Sequence, residues 1–131
     1  MAIQRQSLST RGISHGNPVP AGVRIGNMLF SSMVLGHDPD TRKVPESADA
    51  EAEMMFRNMR DLVESAGGTL DNIASVTVYL KEGDDREAVV KSLNQAWVKT
   101  FPDENSRPAR GLFQRAQGSH FSSQVIAVFE P

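Results

Sequence analysis

The stretch Ile73-Ala-Ser-Val-Thr-Val-Tyr-Leu80, set between Gly67-Gly68 and Asp84-Asp85, decides the fold. It is rich in β-branched residues, and Val76, Val78 and Leu80 alternate onto one side, so it reads as a strand with one buried face. Tyr79 falls on the opposite side. Upstream, Ala48, Ala52, Met55, Met59, Leu62, Val63 and Ala66 recur at spacings of three and four, which makes one apolar helix face. Ser47 is placed to cap that helix, and Asp49 and Glu51 sit in its first turn, where the dipole favours negative charge. Gly67-Gly68 supplies the stop. Downstream, Asp84-Asp85 opens a second helix whose stripe is Val89, Leu93, Ala96 and Trp97, with Pro102 just past its end. Trp97 reads as core or interface.

Further out, the short apolar runs Val23–Ile25 and Met28–Val34 flank Gly26-Asn27 and read as a hairpin. Pro18 and Pro20 hold the chain before it extended, and residues 1–16, rich in Ser, Arg and Gln, read as a loose N-terminal segment. His37 to Pro45 reads as a loop. Two strands, Ala109–Ala116 and Phe121–Phe129, follow the second helix and are joined by a turn near Gly118. The order β-β-α-β-α-β-β, with antiparallel hairpins at both ends, predicts a single α+β domain over residues 1–131. It is a mixed sheet with two helices packed on one face. The other face then needs a cover, and in a chain this small oligomerisation supplies it.

The 131 residues carry 14 Lys and Arg against 16 Asp and Glu, a net charge of −2. That balance gives no general footprint for nucleic acid. Cysteine is absent, which excludes disulfides, thiolate nucleophiles and Cys-ligated metals. No apolar run approaches the roughly 20 residues that span a bilayer, and the polar N-terminus lacks a signal-peptide layout. The expectation is a cytoplasmic protein that uses neither membrane nor nucleic acid. His15, His37 and His120 lack metal-ligand spacing, and the loop acids Asp38 and Asp40 read as solvated, so no metal is expected.

Four segments in this order and spacing carry a resemblance. They are Gly26-Asn-Met-Leu-Phe-Ser-Ser32, Gly67-Gly-Thr-Leu-Asp71 leading into Val76–Leu80, Asn94–Phe101, and Arg107-Pro108-Ala109-Arg110. Together, over about Pro18 to Glu130, they resemble the Rid (YjgF) family of imine and enamine deaminases. The resemblance implies a chorismate-mutase-like fold and a homotrimer with ligand sites in the clefts between neighbouring subunits. It also implies hydrolytic deamination of small 2-imino or enamine acids to 2-keto acids plus ammonia, with no cofactor.

Arg110 carries the sharpest expectation. A guanidinium is a planar fork of donors that matches a carboxylate bidentately, and by resemblance Arg110 clamps the carboxylate of the substrate. The strand pattern alone places Arg110 and Leu112 on one face, where an arginine is more often a rim or interface ion pair than a clamp. Ser32 matches a family serine that orients substrate or water; a serine pair at a strand end also simply ends the strand. Asn94 matches an asparagine near the family's cleft, and equally reads as an exposed helix residue.

Several positions depart from the family. Its Ser-Gly-Gln is Ser32-Met33-Val34 here, its N-terminal tyrosine is Val19, and its cysteine two residues past the arginine is Leu112. Its glutamate on the last strand, which handles the attacking water, falls at Ser122 or Gln124; we take Gln124. Neither side chain exchanges protons near neutral pH, and Glu130 is a poor substitute. His120, near the last strand, is a candidate replacement acid or base. The expected catalytic set is therefore Arg110, Gln124 and Ser32, with Arg110, Ser32, Asn94 and Leu112 lining the ligand site. The alternative is a non-catalytic module of the same fold that binds a small carboxylate metabolite. Ribonuclease or translation-inhibitor activity, attached to some relatives, is disfavoured by the acidic balance and by the lack of interleaved aromatic and basic residues.

Overall fold

The computed structural model describes residues 3–13 and 16–131. Helix α1 (Ala48–Ser65) begins where the Ser47 hydroxyl accepts the Ala50 amide at 3.1 Å. It ends in paired closing bonds: Gly67 N–H donates to Glu64 O and Gly68 N–H to Val63 O, both at 3.0 Å. Gly67 sits at φ 93°, a conformation that a Cβ disfavours. Helix α2 (Arg86–Thr100) is capped by Asp85, whose carboxylate accepts the Ala88 amide. Its stripe Val89, Leu93, Ala96 and Trp97 is buried as the spacing predicts.

The strands are β1 (Arg5–Leu8), β2 (Gly22–Ile25), β3 (Met28–Ser31), β4 (Val34–Leu35), β5 (Ile73–Lys81), β6 (Ala109–Arg115) and β7 (Phe121–Val128). Their order is β1-β2-β3-β7-β5-β6, with β4 also paired to β7. Only β5 and β6 run parallel, so the sheet is mixed. The hairpin about Gly26-Asn27 closes with Ile25 opposite Met28. Val76, Val78 and Leu80 of β5 and Val125 and Ala127 of β7 pack beneath α1 and α2 with Met55, Met59, Leu62 and Leu93.

Three expectations are corrected. Residues 5–8 form β1, where the sequence reads as loose. Arg5 to Leu8 pair with Ile25 to Gly22 through backbone groups, and the strand's exposed polar side chains carry no apolar alternation to announce it. Residues 1, 2, 14 and 15, His15 among them, lie outside the described residues. The second apolar run of the hairpin is two strands. β3 stops at Ser31, whose Oγ accepts the Val125 amide at 2.8 Å and fills the ladder before β4 resumes it.

The C-terminal pair is not a hairpin. The α2 crossover returns the chain to the outer side of β5, so β6 lies parallel to it from Ser75–Ala109 to Lys81–Arg115. β7 then enters between β5 and β3, where both edges still had free backbone groups.

The face away from the helices is open. It presents Ile25, Phe30, Phe113, Ile126 and Val128, each at least 36% exposed, together with Thr77, Tyr79 and Gln124. Among the described residues, no helix is long and apolar enough to cross a membrane.

Candidate functional site

The segment after α2 is built around its two arginines. Arg107 Nε donates to Phe101 O at 2.8 Å and Nη2 reaches Pro102 O, so a cation closes the helix's negative end. Two residues later Ala109 starts β6. Arg110 pairs with Val76, which is buried under the helices, so Arg110 points to the helix side of the sheet. There its Cζ lies 4.9 Å from the centroid of the Trp97 ring. Its Nη1 is buried and has no hydrogen-bond partner among the described residues, and none of their ion pairs includes Arg110. Burial lowers its pKa from the ordinary arginine value. A half-buried cation with an unmet donor is costly unless an anion comes to it.

Leu112 shares the face of Arg110 and packs half-buried against the core. Asn94 is exposed on α2, one turn before Trp97. It lines an open groove of about 980 Å³ between the helices with Asp49, Glu53 and Val98, and Arg110 does not line that groove. Gln124 lies on the other face of the sheet. It pairs with Thr77, and its Oε1 accepts from the Tyr79 hydroxyl at 3.3 Å. With Phe30, Ser31 and Thr77 it lines a depression of about 220 Å³. Ser32 sits in the link between β3 and β4, its amide donating to Ala21 O at 2.9 Å. Arg110 with Leu112 and Gln124 with Tyr79 therefore stand on opposite faces of one sheet.

A third polar cluster ties the start of β7 down. Glu51 is fully buried on α1, and its carboxylate accepts the amides of Phe121 at 2.9 Å and His120 at 3.3 Å. Its place is legible in retrospect, because Glu51 stands four residues before Met55 on the apolar stripe. His120 Nδ1 lies 2.6 Å from Asp84 Oδ2. Arg115 donates from Nε to Ser122 Oγ at 2.9 Å, from Nη2 to Ser119 O at 2.8 Å, and from Nη1 to Gln117 O. Burial lowers the Arg115 pKa, while Glu51 and Asp84 act to raise it. Arg115 and Glu51 are thus committed to holding the 116–120 loop.

Gly12-Ile-Ser-His-Gly16 has the Gly-x-Ser-x-Gly spacing of a nucleophile elbow, but that motif needs a strand-to-helix turn; among the described residues no helix follows it directly, and Ser14 and His15 lie outside them. Among the described residues, no group of three or more potential ligands could hold a metal ion.

The family model described as Endoribonuclease L-PSP matches residues 13–121. A RutC family protein of Aquifex aeolicus is 29% identical over 119 residues, covering 85% of this chain and 92% of that one. A protein of Escherichia coli strain K12 named 2-iminobutanoate/2-iminopropanoate deaminase is 31% identical over 101 residues, 76% of each chain. Among solved structures, RidA from the Antarctic bacterium Psychrobacter sp. PAMC 21119 superposes with a TM-score of 0.82 at 28% identity, over 94% of this chain and 98% of that one.

Proposed function

The chain belongs to the Rid (YjgF) family, and on that footing we propose that it hydrolyses small 2-imino or enamine acids to 2-keto acids with release of ammonia. The observation that carries this reading is Arg110, a half-buried guanidinium with an unmet donor and no acidic partner among the described residues. A carboxylate is the ligand that a free planar fork fits best. The substrate class follows from the relative named as a 2-iminobutanoate/2-iminopropanoate deaminase.

In this mechanism Arg110 fixes the carboxylate, and Ser32 or a backbone carbonyl orients the nitrogen. Leu112 flanks the carboxylate on the Arg110 face of β6, whereas Asn94 lines the separate groove between the helices. A water held by backbone and Gln124 adds to the carbon of the protonated C=N bond. The resulting tetrahedral carbon expels ammonia as its hydroxyl loses a proton, which leaves the keto acid. The protonated imine is already electrophilic, so positioning supplies most of the acceleration. Ammonia release from freshly generated 2-aminoacrylate tests the reaction. Release no faster than the buffer rate, with the oxo acid still bound, would replace it by the second reading.

That second reading is a binding module for small carboxylates. It is favoured by Gln124, which accepts a hydrogen bond from Tyr79 and cannot move a proton. Gln124→Glu separates the two. General acid–base help is worth about 10²–10⁴-fold when fully placed, and a carboxylate installed without further tuning should recover about ten-fold in imine hydrolysis. A stable Gln124→Glu protein with no gain favours the binder.

Gln124 and Arg110 on opposite faces, together with the apolar open face, support a site built between copies of a homotrimer. Three chains of 14.3 kDa should sediment together at about 43 kDa. A stable monomer at micromolar concentration would remove both trimer and site.

A further inference from the structure

The Arg110 guanidinium lies over an aromatic ring and makes no ion pair among the described residues. Its Cζ lies 4.9 Å from the centroid of Trp97, while Nη1 is buried and unpartnered among the described residues. Trp97 is itself held in place. It is 8% exposed, with ring centroids 6.0 Å from Phe56 and 4.8 Å from Phe101. Phe101 is anchored in turn by Arg107, which donates to its carbonyl. A guanidinium over an aromatic face keeps a defined plane, and with Nη1 buried the edge left to an incoming carboxylate is that of Nε and Nη2.

We propose that Trp97 is the positioning residue of the carboxylate clamp, holding the Arg110 fork in one plane and shielding one of its faces from water. The carboxylate of a 2-oxo or 2-imino acid then meets an edge that is already oriented. This inference rests on the reading of Arg110 as the clamp. Pre-orientation raises affinity because the ligand no longer selects a minority of arginine rotamers.

Trp97 is the chain's only tryptophan, so biosynthetic incorporation of fluorotryptophans alters this one ring. Fluorine drains negative charge from the ring face and changes its shape little. Calorimetry with 2-oxobutanoate should show Kd rising stepwise through mono-, di- and trifluorotryptophan, by about three- to ten-fold in total. Trp97→Leu should lose about ten-fold or more, and the native indole fluorescence should change on titration with the calorimetric midpoint. A flat Kd across the fluorinated series, with an unchanged melting temperature, overturns the positioning role. Arg110→Ala separates the two levels. If it loses binding while the fluorinated series stays flat, only the role of Trp97 fails. If it binds 2-oxobutanoate as the wild type does, the clamp itself fails.

Discussion

Arg110→Lys should weaken binding of 2-oxobutanoate by about ten- to a hundred-fold and leave the fold intact. Hydrogen bonds to charged groups contribute about 1.5–3 kcal/mol, and each 1.4 kcal/mol is tenfold. Lysine keeps the positive charge but has no plane, so it gives up the bidentate fit and the stack on Trp97 together. Fold integrity is expected because Arg110 makes no ion pair among the described residues and lies on edge strand β6. Calorimetry and a thermal melt on the same sample check both halves. Unchanged affinity would put the carboxylate site elsewhere on the molecule.

Glu51→Ala should lower stability by about 3 kcal/mol, because one buried and one part-buried amide lose their acceptor at about 1–3 kcal/mol each. In a chain of this size that is a fall of about 10 °C in Tm. The matched control is Glu53→Ala. Glu53 also holds a partner at short range, Lys99 Nζ at 2.6 Å, but both side chains are more than half exposed. Its loss should leave the melting temperature close to that of the wild type. Equal melts for the two variants would mean that the desolvation cost of the buried carboxylate cancels its hydrogen bonds.

The elements that announce themselves in the sequence are those with one wet and one dry face. α1 and β5 each repeat their apolar residues at the period of their own backbone, and their bounds follow. β1 has no such repeat: Arg5-Gln-Ser-Leu8 is held by backbone pairing at an edge, where side chains need bury nothing. The turn near Gly118 is legible as a turn, but which strand fills the slot beside β5 is decided by distant backbone, so Ala109–Arg115 and Phe121–Val128 read as neighbours although β5 lies between them.

The same limit governs the site. Arg110 and Leu112 share a face, as alternation from Ala109 predicts. The stack on Trp97 joins a strand to a helix and leaves no mark in either segment. Glu51 looks like an ordinary first-turn acid; its place on the apolar stripe hints at burial, but the His120 and Phe121 amides it holds come from about 70 residues away.

The opposed placement of Arg110 and Gln124 also has a genetic corollary. In the proposed trimer, a pocket that uses both would draw them from different copies of the chain, so one chain's two defects would fall in two different pockets. A cell with two alleles, one damaged at Arg110 and the other at Gln124, would assemble mixed particles. Where the intact arginine of one product meets the intact glutamine of the other, a whole pocket forms. Two inactive alleles would complement each other, and a doubly damaged allele beside a normal one would not gain by mixing.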